Sequence, residues 1–146
     1  MKLGEDPVVV EQEFNAPIDS LWDAITKADQ MRQWYFEDIV EFEPVVGFET
    51  KFDVDSGMQE FRYAWKVVEV IEKKLLRYQW RYEGHLGNSC AAFEVSSNND
   101  KSKLQVSHSV LESFSDDVPE FRRESCVDGW NYLITDSLKY FLDGLQ

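Results

Sequence analysis

His108 offers the most versatile chemistry in this chain, because an imidazole titrates at about 6.5 and can give or take a proton near neutral pH. It shares its parity with Leu104, Val106 and Val110, so it is expected to point inward from a strand. Such a histidine is more often a satisfied core residue than a general base or ligand contact. The second candidate group is aromatic. The chain holds ten Phe, six Tyr and five Trp, and several fall on one parity of neighbouring predicted strands: Phe48, Phe61, Tyr63 and Trp65, then Tyr78 and Trp80. Rings can simply fill a core. Six of them, with hydroxyl and indole donors needing partners, suit a partly wet cavity of roughly 300 to 1,000 Å³ better than a dry aliphatic interior. Trp34, at the end of a short predicted helix, and Gly129 and Trp130, in the last one, complete the candidate ligand-binding set.

Gly129 is included because glycine inside a helix costs about 1 kcal/mol relative to alanine. Close packing beside Trp130 is the usual explanation. The functional alternatives are a close approach of backbone to sheet or ligand, or a hinge.

No catalytic residue is assigned. The chain has no phosphate-cradling glycine loop, no Gly-x-Ser-x-Gly elbow and no zinc-helix motif, and its carboxylates fall mostly on outward parity or in loops. His108 acting as acid or base in a cyclase-like enzyme is the remaining catalytic reading. Two separated histidines, His85 in a turn and His108, do not make a metal site; neither metal nor cofactor is expected. Cys90 and Cys126 have no paired spacing and read as structural thiols.

The elements that would position these residues can be read in order. Pro7 to Phe14 alternates as a strand, Pro17 opens a short helix carrying Leu21, Trp22 and Ile25, and a second short helix covers Ala28 to Trp34. Strands are expected at Ile39 to Glu43, Phe48 to Val54, Phe61 to Ile71 with an irregularity near Glu69, Leu76 to Glu83, Cys90 to Ser96 and Lys103 to Leu111. Val118 to Leu145 carries Trp130, Leu133, Ile134, Leu138, Phe141 and Leu142 at helical spacing, and roughly 24 helical residues would span about 36 Å. Short links between strands imply an antiparallel meander. The expectation is therefore an α+β fold in one domain, residues 1–146, with a curved antiparallel sheet of six to seven strands wrapped around a long C-terminal helix, and two short helices after the first strand.

A formal charge of −13 argues against nucleic acid and anionic membrane surfaces as partners. No apolar run is long enough to span a bilayer, and the opening residues have no apolar targeting core, so a cytoplasmic location is expected.

Several segments carry a family resemblance in order along the chain: Phe14-Asn15-Ala16-Pro17-Ile18 with Leu21-Trp22-Asp23-Ala24-Ile25, Trp34-Tyr35-Phe36, Val67-Val68-Glu69-Val70 and Leu76-Arg77-Tyr78-Gln79-Trp80. Leu104 to Ser109, Gly129-Trp130 and Leu138-Lys139-Tyr140-Phe141-Leu142 follow. Together they resemble the START-like, helix-grip (SRPBCC) superfamily, and within it the branch named for the activator of the heat-shock-protein-ninety ATPase. The resemblance implies a hydrophobic cavity between sheet and helix. It also implies the activities to weigh: binding of a small apolar or aromatic ligand, contact with a chaperone, or polyketide cyclisation.

Overall fold

In the computed structural model, which describes residues 1–145, the sequence alternation becomes strands with one dry face. Strand β1 (Val8–Phe14) buries Val8, Val10 and Phe14 and leaves Val9 and Glu11 in water. Helices α1 (Ile18–Thr26) and α2 (Ala28–Trp34) follow, with Leu21, Trp22 and Ile25 turned inward from the first. A meander of five strands comes next: β2 (Glu49–Asp55), β3 (Glu60–Ile71), β4 (Leu75–Tyr82), β5 (Asn88–Asn98) and β6 (Lys101–Glu112). The six-stranded sheet has the order β1-β6-β5-β4-β3-β2, with every neighbouring pair antiparallel. The irregularity near Glu69 is a register shift between Val67 and Glu69.

Pairing in β3 and β4 sets aromatic residue against aromatic residue. Tyr63 faces Tyr82 and Trp65 faces Trp80 across the ladder. Directly opposed side chains interact most strongly in an antiparallel pair, so this register gathers the rings into one concave wall.

Ile39 to Glu43 is not a strand. Ile39 and Phe42 are both buried while Val40, Glu41 and Glu43 are exposed, a spacing of three that a period-two strand cannot supply. The Arg32 guanidinium donates to the carbonyl oxygens of Ile39 and Val40 at 3.0 and 3.2 Å, taking the place of a ladder partner.

The last helix also differs from its expected span. Pro119–Phe121 is an isolated 3-10 turn, and Arg122, with φ −81° and ψ 154°, is extended and interrupts the rod. The continuous helix then runs through α3 (Arg123–Asn131), a π-helical stretch (Tyr132–Leu138) and α4 (Lys139–Gly144). The buried row is Trp130, Ile134, Leu138 and Leu142, each four residues after the last. Steps of four overshoot a full turn by about 40° on a helix with 3.6 residues per turn. The wider π turns reduce that drift and hold the row against the sheet.

Phe121 leaves the main core altogether. With Phe61 and Phe114 it forms a second buried cluster at the end of the sheet where the β2–β3 and β4–β5 turns lie. Gly87 supports it: φ is +113°, and a methyl group there would overlap the Phe114 ring.

Candidate functional site: an aromatic cavity under the C-terminal helix

A cavity of about 340 Å³ lies between the sheet and α3. Tyr63 from β3, Trp80 and Tyr82 from β4 and His108 from β6 form the sheet side. Cys126, Gly129, Trp130 and Leu133 close it from the helix, Tyr35 and Phe36 close it after α2, and Glu120 and Ser125 stand at the 3-10 turn and the start of α3. The walls meet steeply: Tyr63 and Tyr82 are 5.1 Å apart at 83°, and Trp80 and Trp130 are 5.8 Å apart at 77°.

Gly129 faces this space. Beyond its chain neighbours and its own helix backbone, nothing lies within 4 Å of where its Cβ would be, so no other element packs closely against the glycine.

His108 is buried and fully engaged. Trp130 Nε1–H donates to His108 Nδ1 at 2.8 Å, which fixes Nδ1 as an acceptor and places the ring proton on Nε2. Nε2–H then donates to Ser89 Oγ at 2.7 Å, and the Ser89 hydroxyl donates to the Trp80 carbonyl oxygen at 2.7 Å. Burial without a counter-charge pulls the imidazole down to about 4.

Cys126 Sγ lies 3.6 Å from the same Nδ1. This contact resembles a thiol–imidazole dyad, but the acidities oppose one. Burial pushes the Cys126 thiol up to about 11 while the imidazole sits at about 4. Proton transfer from sulfur to nitrogen is uphill by on the order of 10 kcal/mol, so the resting pair is neutral.

Of the ten residues singled out from the sequence, Tyr63, Trp80, His108, Gly129 and Trp130 line the cavity. The other five are elsewhere. Trp34 stacks on Tyr35 at 4.6 Å and donates its indole N–H to the Ala24 carbonyl oxygen at 2.7 Å, tying α2 to α1. Trp65 and Tyr78 are core residues 4.6 Å apart, deeper in the sheet. Phe48 packs on Phe42, and Phe61 belongs to the second cluster. For Phe61, Trp65 and Tyr78 strand parity gives the buried face; what it does not give is distance along the strand from the cavity.

Tyr35, Phe36, Tyr82, Glu120 and Cys126 were not singled out as ligand contacts. Tyr82 shares the inward parity of Tyr78 and Trp80 and was accessible to the same argument. Tyr35 and Phe36 follow α2 in a loop, where periodicity is silent. Glu120 is one of 28 acidic side chains, and nothing in its local sequence sets it apart.

The comparisons with known proteins agree with this architecture. Residues 15–143 match the sequence signature of the family described as activator of Hsp90 ATPase homolog 1-like protein. The chain belongs to that family. No curated protein matches the chain. Among solved structures similar to this member of the family, the Mll3558 protein from Rhizobium loti has a TM-score of 0.80 at 16% identity, covering 93% of this chain and 96% of its own. Protein MLL2253 from Mesorhizobium loti has a TM-score of 0.75 at 23% identity, covering 96% and 98%. The Aha1 dimer from Colwellia psychrerythraea has a TM-score of 0.71 at 20% identity, covering 94% and 97%. At these identities the likeness shows the helix-grip fold that the family shares. Among the described residues no helix of this family member is long and apolar enough to cross a membrane.

Proposed function

We propose that this protein is a binding domain that holds a small apolar or aromatic molecule between the sheet and the C-terminal helix. The observation that carries this reading is Gly129. A helix-interior glycine forfeits about 1 kcal/mol relative to alanine, and here it lines an aromatic-walled space of about 340 Å³, with nothing beyond its own helix within 4 Å of where a Cβ would stand. That volume is at the lower end of the range of ligand sites. The ring walls offer stacking faces, and Glu120, the tyrosine hydroxyls and Ser125 offer a few polar tips to set orientation. Membership of a family that includes binders of hydrophobic ligands supports the same conclusion.

The test is direct. The purified protein is denatured and its released small molecules are identified by mass spectrometry, and a panel of neutral aromatic compounds is titrated while the indole N–H signals of Trp80 and Trp130 are followed by NMR. Saturable shifts at both indoles are expected. A panel that moves neither, with no molecule released, rejects the reading.

A second reading, contact with a chaperone of the heat-shock-protein-ninety type, is favoured by the family match over residues 15–143. The charge of −13 would direct such contact to a basic surface. Retention on immobilised chaperone at low salt and its loss at high salt would support it; absence of retention at both would reject it. A cyclase using His108 as acid or base is disfavoured, since both imidazole nitrogens are already engaged.

A further inference from the structure

The cavity has a polarity that the apolar-ligand reading does not use. Among the residues lining it there is no lysine or arginine, and His108 is held neutral. Its one carboxylate belongs to Glu120, whose Oε2 accepts from Ser56 Oγ at 2.6 Å and whose Oε1 is covered and has no donor. That charge reaches the walls: the Tyr63 phenol is raised to about 12, first by burial and then by the charges of Glu120 and Asp38. The cationic group at this rim is the Met1 α-ammonium, which donates to the Phe121 carbonyl oxygen at 2.6 Å.

Aromatic faces attract cations through the negative face of the ring, and the attraction grows when the cation is desolvated. Tyr63, Trp80, Tyr82 and Trp130 present such rings around one space, with Tyr63 tilted 46° to Trp80 and 83° to Tyr82, and Trp80 at 77° to Trp130. Rings on several sides, a carboxylate oxygen without a donor and no basic side chain on the walls, with the one ammonium, that of Met1, engaged by the Phe121 carbonyl oxygen, make a poor site for an anion. They make a good one for a cation with an apolar body.

Resting on the reading of this cavity as a ligand site, we propose that it selects small organic cations, protonated or quaternary amines on an aromatic or aliphatic body, with Glu120 as the counter-charge. The carboxylate orients the charged end toward the 3-10 turn and the body lies against Trp80 and Trp130.

Three probes of similar shape test this by NMR titration at 150 mM salt: benzyltrimethylammonium, its neutral carbon isostere neopentylbenzene, and the anion 3-phenylpropionate. The cation is expected to bind roughly tenfold more tightly than the neutral isostere, and the anion more weakly than either. In Glu120→Gln, whose amide oxygen can still accept from Ser56, the cation's advantage should fall to about twofold while affinity for the neutral probe is unchanged. Thermal melting of the variant checks that it is folded. Because the substitution removes one charge of a large net excess, a drop of that size reports the local carboxylate and not the overall field. Equal or tighter binding of the neutral probe, or a cation preference that survives in Glu120→Gln, overturns the proposal and leaves the cavity reading intact. If all three probes fail while neutral panel compounds bind, cation selectivity alone falls; if the panel fails too, both fall.

Discussion

Trp130 Nε1–H donates to His108 Nδ1 at 2.8 Å, so the helix that closes the cavity is pinned to β6 through a histidine that must stay neutral to receive the bond. Protonation would place a second hydrogen on Nδ1 and set donor against donor. The geometry and the depressed basicity of the imidazole thus have one cause, a buried ring with no carboxylate partner.

This makes stability depend on acid in a defined window. The folded imidazole titrates at about 4 and the unfolded one at about 6.5, so between these values the unfolded chain binds more protons and stability falls as pH falls. The stabilisation is fully present above pH 6.5 and is lost on the way down to pH 4, by about 3 kcal/mol. Urea denaturation at intervals across this range should give a steeper decline for the wild type than for His108→Phe. Subtracting the two curves removes the contribution of the carboxylates common to both, and parallel curves would contradict the assignment.

Gly129→Ala should separate fold stability from binding. Alanine is the better helix former by about 1 kcal/mol, and nothing beyond its own helix stands within 4 Å of the added methyl carbon. The expected outcome is a melting temperature several degrees higher, together with weaker binding of any aromatic compound that shifts the Trp80 and Trp130 indole signals. A destabilised variant would mean that the backbone at this point cannot take an ordinary helical residue. Unchanged affinity in a stabilised variant would remove Gly129 from the ligand contacts.

How far the sequence reaches can be judged on particular residues. Strict alternation in β4 identified the face shared by Tyr78, Trp80 and Tyr82, because each turns to the same side of the sheet. It could not distinguish Trp80 beside the cavity from Tyr78 packed on Phe93 at 5.5 Å, since that depends on where the helix crosses. Helical periodicity placed Trp130 to Leu142 against the sheet. The helix start at Val118 rests on Asp116, Asp117 and Pro119, which suit a first helical turn, whereas in the structure Pro119 opens an isolated 3-10 turn and Phe121 joins a second cluster beyond the break at Arg122. Glu120 was illegible for a different reason. Its significance comes from Tyr63 and Ser56, more than fifty residues away in the chain, and local patterns carry no such information.

The second cluster should be sensitive at Gly87. Its φ of +113° suits glycine and strains any other residue, and a methyl group would collide with Phe114. Phe114 is buried, so it cannot yield without disturbing Phe61 and Phe121. Gly87→Ala is expected to cost about 2 kcal/mol or more, measured by denaturation. The companion Gly84→Ala, also at positive φ but with open space around it, should cost less. Equal losses would mean that backbone strain alone, and not the Phe114 contact, sets the requirement.

Tyr35 and Tyr78 join the loop after α2 to the sheet through a hydrogen bond of 2.5 Å between their hydroxyls. Both rings are buried, and desolvation holds each phenol well above its usual acidity range, with the neighbouring hydroxyl adding to the rise for Tyr35. Removing one hydroxyl strands the other, at about 1 to 3 kcal/mol, whereas removing both leaves two apolar rings and no orphan. Tyr35→Phe and Tyr78→Phe should therefore each destabilise, and the double variant should lose less than their sum, giving a coupling energy above about 0.5 kcal/mol in denaturation measurements. The same pair bears on alkaline stability. A phenol raised in the folded state is protonated there while the unfolded chain ionises near pH 10, so the contribution is complete below that pH and declines above it. Absorbance at the phenolate band should rise for exposed tyrosines first and for this pair only as the fold opens. Additive losses in the double variant, or early ionisation of Tyr35 in a folded protein, would show that the two hydroxyls are not a closed pair.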